Sequence, residues 1–286
     1  VVSPYQSTWS CSDNLYDSWP TFWTGDVNGM FGMINVDGSI FRWMGPASTG
    51  VAQATVTQTS LVVGATTTTY EFEVGSTGVL MTVKFTTPTI DLDNDSAAAH
   101  DRPVTYVSIS VTSPTSVSVR VYMDISAEGV VNDVANEVAW SRGDVASGLA
   151  ADMMVGTTEQ QFASSTSDRI NWGYAHLAVA SPSTIGASSV LAHTLEHDAT
   201  TTTNSSSSSA MASHTVCRAA FGNGGTLADV EDDGNGPRAC NDDWIVLAAE
   251  LDVSVGEGGN SGYGTSSGLL LLALDQGPAS MRYFGL

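Results

Sequence analysis

The sequence predicts an all-β protein: a large antiparallel β-sandwich of two packed sheets, with long surface loops and at most short helices. Three observations carry that expectation. From Gln53 onward, apolar and polar residues alternate with the two-residue period of half-buried strands, in stretches rich in Val, Thr, Tyr and Phe that Gly, Ser or Pro punctuate. Three later segments, "NWGYAHLAVA", "DDWIVLAAELDV" and "SGLLLLALD", are more continuously apolar, as strands covered on both faces are. Helical periodicity is scarce. Sandwiches run to about 200–250 residues as single domains, so residues 1–286 are expected to form one large domain or two fused halves, about 1–115 and 116–286.

The first element is an aromatic block, residues 19–45, "WPTFWTGDVNGMFGMINVDGSIFRWMG", with Trp19, Trp23, Trp43, Phe22, Phe31 and Phe41. Within it, "VDGSIFRW" reads as a tight turn between two strands, because Asp37-Gly38 tolerates the positive φ that such turns require. The strands "ATVTQTSLVV", "TTTYEFEV", "VLMTVKFTT", "VTYVSISVT" and "SVSVRVYMD" follow as an antiparallel meander, with "GSTG" at residues 75–78 as one hairpin turn. "DVANEVAW" and "SSVLAHTLEH" are each long enough for a few helical turns, though neither carries caps at both ends. The run "TTTTNSSSSS", residues 200–209, has no apolar residue to offset its ordering entropy and reads as an exposed loop. Residues 222–243 form a second long loop region.

Composition narrows the function classes. The chain has 30 acidic against 9 basic residues, a net charge of −21, and Lys84 as its only lysine. Nucleic-acid affinity comes largely from Lys and Arg, so neither nucleic acid nor an anionic membrane surface is an expected partner. Charged residues are 14% of the chain, and Ser and Thr supply much of the remaining polarity, a profile that points to a secreted, extracellular protein. The chain opens at Val1 without a basic-then-apolar leader, as expected after signal-peptide removal. Two sequons, at Asn94 and Asn204, fit glycosylation on that route. Of three cysteines, Cys217 and Cys240 flank a Gly- and Asp-rich segment and are the expected disulfide, leaving Cys11 free or paired with a segment outside this chain.

Several constellations touch on chemistry. "HTLEH", residues 193–197, has the H-x-x-E-H spacing of inverted zinc peptidases but lacks a firm helix and a third acidic ligand; a solvated turn is the plain alternative. "DLDND", residues 91–95, and "DVEDDG", with Asp229, Glu231 and Asp233 at alternate positions, resemble calcium loops. Both lack the closing glutamate, and a solvated acidic turn is the default. Asp124 and Glu128, in "VYMDISAEG", lie where a strand runs into a loop, a common place for acid–base carboxylates and equally for solvated ones. No nucleophile elbow or phosphate loop is present.

Set against known families, the chain resembles the N-terminal region of fungal secreted glutaminases of the glutaminase A type. The likeness rests on "SPYQSTW", "WPTFWTG", "INVDGSIFRWMG", "ATVTQTS", "FTTPTIDLDNDS", "RPVTYVSISVTS", "VYMDISAE" and "INWGYAHLAVA", collinear over residues 1–180. It departs at Gly129, where the family carries an aromatic, and over residues 191–243. The resemblance implies an N-terminal β-sandwich preceding a helical, toroid-like catalytic region that lies outside this chain and would be its partner. It also implies hydrolysis of the L-glutamine side-chain amide to glutamate and ammonia, without an organic cofactor. No catalytic residue transfers.

Three readings follow: an accessory sandwich of a glutaminase, a stand-alone secreted protein binding for example wall glycans, or a stand-alone hydrolase using Asp37, Asp124 or Glu128. Trp19, Trp23 and Trp43, with those three acids, are the candidates for ligand stacking or a domain interface. Core packing is the plain alternative for the tryptophans, since one aromatic side chain buries about 150–250 Å².

Overall fold

A computed structural model describes residues 5, 7–47, 54–87, 104–143, 149–162, 165–180, 207–227, 230–231, 236–256 and 263–275. The sequons, both calcium-like acidic pairs around Asp91–Asp95 and Asp229/Asp233, the "HTLEH" motif and the "SSVLAHTLEH" helix candidate lie outside the described residues; of Glu231 only the backbone is described.

The described residues form two packed antiparallel sheets, as expected of a sandwich. The meander is β3 (Thr57–Val63), β4 (Thr67–Glu73), β5 (Leu80–Thr86) and β6 (Val104–Ser113). It continues across one nine-stranded sheet through β17 (Gly264–Asp275), β12 (Tyr174–Ala180), β9 (Leu149–Thr157), β8 (Glu137–Arg142) and β15 (Arg238–Ala239). The other sheet has the order β14 (Val230–Glu231), β13 (Ser207–Ser213), β16 (Ile245–Asp252), β7 (Val119–Ser126), β1 (Met30–Val36) and β2 (Ser39–Met44). The β13–β14 pair is its one parallel pairing. A two-residue hairpin, β10 (Ser165–Thr166) with β11 (Arg169–Ile170), stands apart.

Several expectations change. Ser207–Ser209, read as part of an exposed loop, open β13 with Ser209 buried, and residues 222–243 hold the end of a helix and two short strands rather than loop alone. "SVSVRVYMD" does not extend the meander: after Pro114 the chain crosses to the opposite sheet, where β7 is central, between β1 and β16, and buried on both faces. "DVANEVAW" is not helical but a turn at Asp133–Asn136 followed by β8. Val138 and Trp140 alternate toward the core in that strand, a period a helix cannot satisfy.

The β1–β2 hairpin shows why the Asp-Gly pair is there. Val36 pairs with Ser39, leaving Asp37 (φ 49°) and Gly38 (φ 88°) as a two-residue loop with both φ angles positive. Asp37 also pins the turn to the next strand pair, its carboxylate accepting from the Ser118 amide at 3.0 Å. In the second hairpin, Gly75 and Gly78 take positive φ in the loop joining β4 to β5.

Alternation sorts the side chains of the six-stranded sheet. Met30, Ile34 and Val36 of β1, Val119, Val121 and Met123 of β7, and Leu247, Ala249 and Leu251 of β16 face the nine-stranded sheet and fill the main core. Phe31, Met33, Tyr122, Val246 and Ala248 face the other way. That outer face is covered by a helix absent from the sequence expectation, α1 (His214–Gly224). Ser213 caps its start by accepting from the Thr215 amide, and Gly225 ends it in the left-handed conformation with its N–H on the Phe221 carbonyl. The Asn35 side chain donates to the Gly225 carbonyl at 3.0 Å and ties the helix end to β1. The described fold therefore has three layers: helix, six strands, nine strands.

The expected Cys217–Cys240 disulfide is not formed, and both side chains are buried. Cys217 is on the buried side of α1 with Phe221, in one cluster with Tyr122 of β7, whereas Cys240 belongs to the core between the sheets, so the six-stranded sheet separates them. Burial pushes the Cys240 thiol up to about 12, which keeps it protonated and unreactive. Cys11 is exposed.

Candidate functional site

The acids nominated by the sequence, Asp124 and Glu128, follow each other along β7 and the 3-10 turn Ala127–Val130, yet they occupy different environments. Asp124 is at an even position of β7 and so points at α1. It is fully buried, and Arg218 grips it through two parallel hydrogen bonds, Nε to Oδ2 at 2.7 Å and Nη2 to Oδ1 at 2.8 Å. The Tyr122 hydroxyl donates to the same Oδ2 at 2.7 Å. Burial, with the Asp124 charge adding to it, holds that phenol well above its ordinary range, so it stays a donor. The guanidinium lies over the rings of Trp19, at 5.1 Å, and Phe31, at 4.5 Å. Burial is the largest influence and would weaken its charge, but the Asp124 carboxylate, with Tyr122 and Cys217, raises the guanidinium above its ordinary range. Every charge in this group is matched.

Glu128 is buried at the end of the sandwich. Its Oε2 accepts from the Ser126 hydroxyl at 2.7 Å and the Gly29 amide at 2.8 Å, and Arg169 donates to its backbone carbonyl. Gly29 has no room for a side chain: a Cβ there would press on Glu128 and Ser126. Burial raises the carboxyl above its ordinary 4.5, against the opposing hydrogen bonds and the charges of Arg169 and Arg218. A buried carboxyl with a raised pKa is the electrostatic pattern of a general acid, yet here the side chain fastens the start of β1 to the end of β7.

Beside it a cleft of about 70 Å³ opens between the sheet ends, lined by Asn28, Met30, Ile125, Ser126, Leu272 and Leu274, with Tyr5 and Thr8. Asn28 Oδ1 is buried there without a partner among the described residues. His176 borders the cleft, and its Nδ1 lies 3.1 Å from Asp152. The neighbours Leu177 and Val179, and Met153 and Val155, face the core, so the imidazole and Asp152 stand on the opposite, outer face of the nine-stranded sheet as a diagonal cross-strand pair.

The structure separates the remaining candidates. Trp43 is fully buried between the sheets, its indole N–H donating to the Met33 carbonyl at 3.1 Å. Trp19 is half-buried against Phe31, and Asp37 is exposed at its turn. Trp23 alone of the three nominated tryptophans faces solvent, at 57% exposure. Residues without a sequence signal complete the polar framework: Arg218, Arg169 and Glu250. Glu250 accepts from the Leu227 amide and, at 3.3 Å, from Thr226, and lies 3.4 Å from Arg120, fixing the loop after α1 to β16. Among the described residues no group of His, Cys, Asp and Glu is arranged to hold a metal ion, and no helix is long and apolar enough to cross a membrane.

Residues 66–285 match the model of a family described as "Domain of unknown function (DUF5127)". The chain belongs to that family. A second model, "Domain of unknown function (DUF4964)", matches residues 1–55. In three dimensions this second match is not a separate body, because β1 and β2 from it complete the sheet built by β7, β13 and β16 of the DUF5127 region. The DUF5127 chain is homologous to fungal glutaminases. It is 29% identical to Glutaminase A of Aspergillus oryzae over 262 residues, which is 88% of this chain and 33% of that protein. It is 25% identical to a "Probable glutaminase" of Arthroderma benhamiae over 194 residues, 62% of this chain and 22% of that protein. The chain thus spans a third or less of the length of these relatives.

Proposed function

We propose that this glutaminase-related chain is the accessory β-sandwich of a secreted glutamine amidohydrolase, non-catalytic by itself and supporting a helical catalytic region of the same polypeptide. The observation that carries the reading is the use made of its two buried acids. Asp124 is neutralised by Arg218, and Glu128 closes the sandwich end through Gly29 and Ser126. A general acid or nucleophile must reach a substrate atom at hydrogen-bond distance, and these side chains are spent on holding strands, a turn and a helix in place. The matched region is 33% of one relative named as a glutaminase and 22% of the other, leaving ample chain elsewhere for the chemistry. The acidic, Ser- and Thr-rich composition and the sequons at Asn94 and Asn204 support secretion with glycosylation.

The test is an assay of ammonia release from L-glutamine by the purified 286-residue chain. No turnover above a heat-killed control is expected; turnover would make the sandwich itself the enzyme.

A further inference from the structure

Tyr5, Trp9 and Trp23 are 39%, 52% and 57% exposed, and all three belong to the segment that precedes β1. This segment is a fastened ribbon. Trp9 and Thr21 exchange both backbone hydrogen bonds, Thr21 bridges to Val27, and the Asn28 amide donates to the Pro20 carbonyl at 2.9 Å. Phe22 is buried beneath it, and Asp26 lies 3.8 Å from Arg169. Large aromatics held half-exposed on rigid backbone lose little entropy on being covered, which is why Trp and Tyr dominate the energetic centres of interfaces.

The ribbon sits at one particular end of the sandwich. Tyr5 and Thr8 line the cleft together with Asn28, whose buried Oδ1 lacks a donor among the described residues. Leu272 and Leu274 line it from the last turn of pleat in β17. The last described strand, β17, therefore ends beside the aromatic ribbon. In the relatives, two thirds or more of the polypeptide lies outside the matched region.

Resting on the reading above, we infer that this end of the sandwich, the Tyr5–Trp9–Trp23 ribbon and the Asn28 cleft, is the seat of the remaining part of the same glutaminase polypeptide. That part covers the two tryptophans and brings an N–H or O–H donor to Asn28 Oδ1. The main competing apolar surface, Leu61, Val62 and Val63 on the edge strand β3, is four strands away from β17 in the nine-stranded sheet.

Hydroxyl-radical footprinting read by mass spectrometry tests this on three samples: the 286-residue chain, the full-length polypeptide that carries it, and the 286-residue chain with soluble β-glucan. The expected result is that labelling of Trp9 and Trp23 in the full-length polypeptide falls to the level of buried Phe22, while Val62 and Val63 label as in the isolated chain. In the full-length polypeptide with Trp9→Ser and Trp23→Ser, both at exposed positions, Tyr5 labelling is expected to return to its isolated-chain level. Protection of Val62 and Val63 in place of Trp9 and Trp23 overturns the assigned surface and leaves the accessory reading standing. Protection of Trp9 and Trp23 by β-glucan, without protection in the full-length polypeptide, replaces the seat with a glycan platform. No protection anywhere overturns both the seat and the accessory reading.

Discussion

Arg218→Ala is expected to destabilise the sandwich by about 3–5 kcal/mol, the range found when one partner of a buried ion pair is removed. The loss reflects more than a missing attraction. Asp124 is fully buried, so without the guanidinium its carboxylate is left uncompensated beneath a helix, with only the Tyr122 hydroxyl among the described residues to solvate it. The Arg218 guanidinium also lies over the rings of Trp19 and Phe31, and those contacts go with it. The triple change Tyr122→Phe, Asp124→Leu and Arg218→Met removes all three polar groups together and is expected to recover most of the stability, because an apolar set of similar volume leaves nothing unpaired. Urea unfolding checks both. A loss below about 1 kcal/mol for Arg218→Ala, the range of exposed pairs, would contradict the assignment.

Trp43→Ala is expected to cost about 3–5 kcal/mol, as truncations of fully buried aromatics do. That is a large share of a net stability of about 5–15 kcal/mol. The indole lies in the core between the sheets, 6.5 Å from Phe72, with its N–H on the Met33 carbonyl. It also covers Gly32, where the β1–β2 register shifts and a Cβ would run into the indole ring. Gly32→Ala is therefore expected to cost about 1–3 kcal/mol in the intact chain, as overpacking does, and clearly less in the Trp43→Ala background. Thermal or urea unfolding of the four chains gives the coupling. Additive costs would show that the two positions do not share the space.

These two sites also mark what the sequence could and could not reveal. Period-two alternation in "TTTYEFEV" and "VLMTVKFTT" announces β4 and β5, and the Asp37-Gly38 pair announces their counterpart hairpin in the other sheet. Alternation states which residues share a face, not which sheet a strand joins, so the departure of β7 from the meander had no local signal. Helix α1 carries legible caps at Ser213 and Gly225, but its buried positions are Cys217, Arg218 and Phe221, one of them charged. A stripe that short and polar leaves almost no apolar period. Asp124 could be singled out for its place near a strand end. Its partner Arg218 is 94 positions away and becomes visible only when α1 folds onto the sheet. The tryptophans of the aromatic block look alike in sequence, yet Trp43 is core, Trp19 backs an ion pair and Trp23 faces water.

Under the proposed function, the buried acids of this sandwich hold structure and the glutaminase chemistry belongs to the rest of the polypeptide. Glu128 is the sharpest case, since burial and a raised pKa give it the profile of a general acid. The decisive measurement is kcat for glutamine in the full-length polypeptide carrying Glu128→Gln, taken together with its melting temperature. A kcat within about twofold of the unaltered protein is predicted, with any change appearing in the melting temperature. A fall of about 10²-fold or more at an unchanged melting temperature, the scale of a lost acid–base group, would place Glu128 in the reaction and contradict the account.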